Sequence, residues 1–146
     1  MRYVYLDSLE MKTTKVQNAF RVFLGIMLLY TGTGHLTFLR QEFLAQVPPW
    51  IPVEPGVTVL LSGIVELMIG LGLIFWMKKK SIMGWIAAIF FILIFPGNIA
   101  QLTEHRDAFG LNSDAARWGR LLLQPMFIFV ALWSTGAWRA RNHPSA

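Results

Sequence analysis

The chain has 146 residues, of which 55% are hydrophobic and only 14% charged, and its mean hydropathy is +0.50. A water-facing surface usually carries about 25% charged residues, so the composition argues against a soluble, disordered or nucleic-acid-binding protein and for a membrane protein. The absence of cysteine removes disulfide scaffolds, thiolate zinc sites, Fe–S clusters, thiol nucleophiles and quinone–disulfide exchange.

Four charge-poor intervals follow one another along the chain. Residues 22–39 and 121–138 hold 18 residues each without Asp, Glu, Lys or Arg. Residues 81–103 hold 23 such residues, and residues 55–77 another 23 with Glu66 as their single charge. A helix rises about 1.5 Å per residue, so roughly 20 residues cross a hydrocarbon core about 30 Å thick. The pattern predicts an all-α polytopic membrane protein, a bundle of four transmembrane helices near 19–38, 57–77, 81–101 and 118–138. These spans form one membrane domain, 19–138, between a cytoplasmic or interfacial segment, 1–18, and a cytoplasmic tail, 139–146. The first span is read as a helix and not as a cleaved leader, because about 20 residues including Asp7 and Glu10 precede it.

Lys and Arg counts in the connecting segments set the expected orientation. Arg2, Lys12, Lys15, Arg21, Lys78, Lys79, Lys80, Arg139 and Arg141 lie on the side shared by both termini, against Arg40, Arg106, Arg117 and Arg120 on the other. Glu42, Glu54, Glu104, Asp107 and Asp114 sit on that poorer side as well. Both termini are therefore expected in the cytoplasm, in the cytoplasmic membrane of a prokaryote. The +5 charge then reflects topology and anionic lipid, with no nucleic-acid partner.

Glu66 is the residue least at home in lipid. A carboxylate in mid-span costs about 2.5–3.5 kcal/mol and usually faces the bundle interior. Ser62, Gly63 and Gly70 share its helix face, and small residues allow close helix approach. Its bland alternative is a carboxyl serving as packing glue. His35, near the end of the first span, is expected in the outer half at a depth close to that of Glu66, although an interfacial His is common. Asn98, Gln101 and His105 are spaced to share one face, as are Arg117, Arg120 and Gln124. The ordinary use of such arginines is interfacial anchoring. Pro96 and Pro125 are expected to release the carbonyls of Ile92 and Leu121. Together His35, Glu66, Asn98, Gln101, Arg120 and Gln124 predict a polar-lined, ligand-binding cavity in the outer half, with Glu66 and His35 as candidate catalytic groups. The proline-rich loop from Gln46 to Pro55 is expected to roof it, with Trp50 as a lid or an interfacial anchor.

Other chemistries fit poorly. Haem between helices normally needs two inward axial ligands, and only His35 lies within a span. The sequence has no zinc-type His spacing and no phosphate-binding Gly-rich loop, so no metal site is expected. The inner halves are too apolar for a pore.

Gly34-His35-Leu36, the Val47-Pro48-Pro49-Trp50-Ile51-Pro52 loop, Ser62-Gly63-Ile64-Val65-Glu66 with Gly70-Leu71-Gly72-Leu73, Phe95-Pro96-Gly97-Asn98-Ile99 and Arg120-Leu121-Leu122-Leu123-Gln124 resemble, in order, the DoxX-like membrane proteins. The likeness covers about residues 20–137, with Leu36 where a Phe commonly follows the His. It implies a four-helix bundle, points to His35, Glu66, Asn98, Arg120 and Gln124, and links the chain to quinone- and thiosulfate-related redox systems. One expected function is a pocket for a small amphipathic or quinone-like molecule, as a redox-system subunit beside a membrane or redox partner protein. Arg120, Asn98 and Gln124 would bind its oxygens, and His35 with Glu66 would pass protons. The chain has no intrinsic cofactor, so electrons would need a bound quinone or a partner subunit. The alternative is a non-catalytic assembly factor or accessory subunit. A proton-coupled transporter comes last, since four helices show no inverted repeat. Whether turnover occurs is left open by the residues. A cavity favours the pocket, and a fully packed cluster favours scaffolding.

Overall fold

The computed structural model describes residues 12–141, which are all-helical with no strand among them. The described residues form four long helices, α1 (Lys15–Leu36), α3 (Pro55–Phe75), α4 (Lys80–Thr103) and α5 (Asp114–Ser134), with two short ones, α2 (Arg40–Leu44) between α1 and α3 and α6 (Ala137–Arg141) after α5. A 3-10 turn, Met77–Lys79, links α3 to α4. Three helices are long and apolar enough to cross a membrane: α1, α3, and the segment from the 3-10 turn through α4. The fourth, α5, has 21 residues but starts at Asp114 and carries Arg117, Arg120 and Gln124 in its first half. Its polar start separates it from the other three.

Local signals explain the boundaries. Thr14 and Gln17 form a reciprocal capping box, so α1 starts at Lys15, ahead of the charge-poor interval, and includes Arg21. The side chain of Glu54 caps α3 by accepting from the Gly56 and Val57 N–H groups, with Pro55 at the first helical position. Ser113 caps α5. Helix α4 ends at Thr103, so His105, at φ 51°, does not continue the face of Asn98 and Gln101. That part of the expected pattern is wrong. His105 instead bonds Asp114 on the exposed side of the loop, and the Asp114 carboxyl is held below its usual range by His105 first and Arg117 second.

Helix α1 packs chiefly on α3 and α4 on α5, and the two pairs meet more sparsely. Glycines bring α1 and α3 together. A Cβ on Gly25 would lie 3.0 Å from the Gly70 carbonyl oxygen, and one on Gly32 would lie 3.0 Å from that of Gly63. The half of the bundle away from α2 is filled by Leu24, Leu28, Ile69, Leu73, Ala87, Phe90 and Ala131. At that end Arg21, buried within α1, donates to the carbonyls of Leu73 and Ile74, satisfying acceptors in the last turn of α3. Outward faces are apolar, with Phe75 74% and Leu93 71% exposed. Faces of this kind mark membrane or protein contact.

Residues 1–11 and 142–146, which carry most of the expected N-terminal segment and tail, lie outside the described residues.

Candidate functional site

At the other end the two helix pairs separate and enclose a cavity of about 860 Å³. All four long helices contribute to its wall, as does the loop after α2. Small-molecule pockets typically measure about 300–1,000 Å³, with apolar walls and a few convergent polar groups. The predicted residues fall into two groups on opposing helix pairs.

The first group is His35 and Glu66. The Gly32–Gly63 approach sets them side by side, since a Cβ on Gly32 would lie 3.1 Å from Glu66 Cβ and one on Gly63 would lie 2.7 Å from His35 Cβ. His35 Nδ1 is 3.2 Å from Glu66 Oε2, with both side chains buried. The same nitrogen is 3.0 Å from the Thr31 carbonyl oxygen. A carbonyl oxygen only accepts, so Nδ1 carries the hydrogen and donates it to Thr31. Glu66 Oε2 is left without a hydrogen-bond partner. Buried polar atoms are nearly always bonded, so an orphaned carboxyl oxygen at a cavity wall calls for an explanation.

The second group is a network across α4, α5 and the first loop. Arg120 donates from Nε to Asn98 Oδ1 at 3.1 Å and from Nη2 to Gln46 Oε1 at 3.1 Å. Asn98 Nδ2 donates to Gln124 Oε1 at 2.9 Å, and Gln124 Nε2 donates to the Phe91 carbonyl at 2.8 Å. Gln124 thus engages the Phe91 carbonyl, the neighbour of the Ile92 carbonyl that Pro96 is expected to release. Gln46 Nε2 continues the chain to Gln101 Oε1 at 2.7 Å, and Gln101 Nε2 reaches the Ala108 carbonyl. Asn98 thus bonds Arg120 directly and Gln124 braces Asn98 from behind, which places both as positioning residues for the guanidinium. Gln101 lies behind Gln46 and is absent from the cavity wall. Arg117 also stands apart from the cavity: it bonds Asp107, Asp114 and the carbonyls of His105 and Arg106, clamping the loop before α5.

Aromatic rings join the two groups. The Arg120 guanidinium sits 4.5 Å from the Phe109 ring centre, Phe109 meets Phe43 edge-on at 4.8 Å, and Phe43 stacks on His35 at 3.3 Å. Phe109 adopts φ 55°, uncommon for a bulky residue, and its N–H donates to Glu42 of α2. Arg106 donates to the carbonyls of Ala45 and Val47, so the two loops at this end interlock over the cavity as a roof. Trp50 lines the cavity while remaining 67% exposed.

Gln46, Phe43 and Phe109 are the members that sequence reasoning missed. The available signal for Gln46 was a single polar side chain at the head of an otherwise apolar, proline-rich stretch. No cluster of His, Cys, Asp and Glu among the described residues could hold a metal ion.

No curated protein and no solved structure matches the chain. A family model described as a domain of unknown function, DUF8561, matches residues 24–135, from mid-α1 to the end of α5 and so including the whole cavity wall. The chain belongs to the DUF8561 family.

Proposed function

We propose that this is an integral membrane protein, a four-helix bundle of DoxX-like type, whose cavity binds a small amphipathic or quinone-like molecule from the bilayer. The observation that carries the reading is the cavity of about 860 Å³ with Arg120 on one wall and the orphaned Glu66 carboxyl, backed by His35, on another. A scaffold would close such a cluster. Here the polar groups stand around open volume, which favours the pocket over the assembly factor.

A quinone-like ring fits the residues present. Arg120, held in place by Gln46 and by Asn98, which Gln124 braces, would bind a head-group oxygen, and the Phe43, Phe91 and Phe127 rings supply flat apolar wall. Such a molecule, when bound, would supply the electron chemistry that the side chains lack. The chain's own contribution would be to orient the head group, shield it from water under the two interlocked loops and accept or return a proton at Glu66. Helix α5 is the fourth span in this reading, its Arg117 and Arg120 satisfied inside protein and not in lipid. The protein would then act as a subunit beside a membrane redox partner.

The test is binding of decylubiquinone, oxidised and reduced, to the full chain in lipid nanodiscs, followed by tryptophan quenching. Saturable binding that Arg120→Leu weakens at least tenfold supports the reading. Quenching that rises linearly with both forms, as for simple partitioning, overturns it.

A further inference from the structure

The Glu66–His35 pair sets a requirement on whatever enters the cavity, an argument that rests on the pocket reading above. Glu66 is 4% exposed, lines the cavity and has no hydrogen-bond donor on Oε2. The nearest donor, His35 Nδ1, is 3.2 Å away but is committed to the Thr31 carbonyl at 3.0 Å. Because Nδ1 carries its own hydrogen, it also offers no lone pair to a protonated Glu66. The Arg120 guanidinium attracts the carboxyl across the cavity but gives its hydrogen bonds to Asn98 and Gln46 and rests on the Phe109 face, so it puts no donor on Oε2. The cavity therefore has an acceptor wall at Glu66 and a donor wall at Arg120, with apolar and aromatic surface between.

We infer that the ligand is a lipid-soluble molecule whose head carries a hydrogen-bond donor, a hydroxyl on an aromatic or similarly flat body, and that Glu66 selects it by accepting that hydrogen. A bound hydroxyl completes the shell of a buried carboxyl. A ligand of equal shape without the hydrogen leaves both the carboxyl and its own oxygen unpaired, and sites built around a substrate hydroxyl reject such analogues strongly. Exposed apolar residues that also line the cavity, Leu93 of α4 and Tyr30 of α1, place its openings among side chains suited to lipid, as a membrane-dissolved ligand requires.

The experiment compares 4-hexylphenol with 4-hexylanisole, which differ by replacement of the hydroxyl hydrogen with a methyl group. Each is titrated against the full chain in nanodiscs, with concentrations expressed per lipid and binding read from the rise in thermal midpoint. The phenol should bind about ten- to a hundredfold more tightly than the ether. Glu66→Gln, which keeps the side-chain shape but adds an amide donor, should reduce that ratio to within about threefold, while its unliganded midpoint confirms folding. Equal binding of phenol and ether to the unaltered protein overturns the inference and leaves the pocket reading standing. A phenol preference that survives Glu66→Gln also overturns it, moving the acceptor elsewhere. Failure of the two probes and of both decylubiquinone forms to saturate overturns the inference and the pocket together.

Discussion

Gly32 of α1 and Gly63 of α3 face each other so closely that a Cβ on either would lie 3.0 or 3.1 Å from the other's carbonyl oxygen. His35 and Glu66 flank this contact, each three residues past it on helices that run in opposite directions, and their side chains meet across it at 3.2 Å. The contact thus ties helix packing to the chemistry of the cavity.

Gly63→Ala should therefore both loosen the bundle and disturb the pair. Its new Cβ would lie 2.7 Å from His35 Cβ, and neither helix backbone can move without repacking. Overpacking of this kind costs about 1–3 kcal/mol. Gly119→Ala, at a helix position with nothing within 4 Å, should leave stability unchanged or slightly raised. Thermal unfolding in one detergent checks both, and equal midpoints would show that the close approach is not needed.

The second cavity wall depends on a loop-to-helix bond. Gln46 Oε1 accepts from Arg120 Nη2 while Gln46 Nε2 donates to Gln101, so this one side chain pins the first loop to α5 and α4. A double-mutant cycle with Gln46→Ala and Arg120→Ala should show a coupling of about 1 kcal/mol, as for interhelical hydrogen bonds in membranes. Strict additivity would mean that the loop is held by other contacts alone, such as Arg106 on Ala45 and Val47.

What could be read from the residues, and what could not, follows the range of the interactions. Charge-free intervals and small-residue faces are local patterns, so the helices, the glycine face around Glu66 and the convergence of polar groups at one end were legible. Depth along a helix follows from residue count, which is why His35 and Glu66 could be matched in level. Their contact depends on how α1 and α3 are rotated against each other, and that emerges only when Gly25 and Gly32 meet Gly70 and Gly63. Gln46 was missed because its partners lie 55 and 74 residues away and it sits in a loop without periodicity. His105 was misplaced because no Gly or Pro announces the end of α4 at Thr103. The early start of α1 was legible as a Thr-x-x-Gln capping box but was masked by Lys15 and Arg21, charges that look like a boundary.

Acid should weaken the start of α3. Hydrogen bonds from the Gly56 and then the Val57 N–H hold the Glu54 carboxyl below its usual value. The unfolded chain, with a carboxyl near 4.3, binds more protons through that window than the folded one, so the cap's contribution is complete above about pH 4.3 and is lost as pH falls through the lower folded value. The midpoint gap between wild type and Glu54→Gln should be constant from pH 7 to 5 and shrink towards zero below about pH 4. A gap that widens in acid would reverse the assignment.

The basic residues predict orientation. With nine Lys and Arg on the side of the termini and four on the other, both ends should be cytoplasmic. Reporter fusions after residue 146 and within 104–116 should give opposite signals, the first cytoplasmic. Signals on the same side would mean that α5 does not cross the membrane, and an outward C-terminus would move the cavity to the cytoplasmic half.

Glu66→Leu separates packing glue from function. Were Glu66 glue, an apolar replacement would remove a bond between helices and weaken the bundle by about 1–2 kcal/mol. The structure instead leaves Oε2 without a hydrogen-bond partner, with His35 Nδ1 engaged on Thr31. Replacing an incompletely satisfied buried polar group with a hydrocarbon side chain of similar volume is often neutral or stabilising. Glu66→Leu should therefore unfold at the wild-type midpoint or above it, while saturable binding of 4-hexylphenol falls by at least tenfold. His35→Leu should behave differently, since it removes the ring stacked on Phe43 as well as the bond to Thr31, and should lower the midpoint. A Glu66→Leu protein that unfolds several degrees early yet binds the phenol as wild type does would make the carboxyl a structural element and leave the cavity without its acceptor.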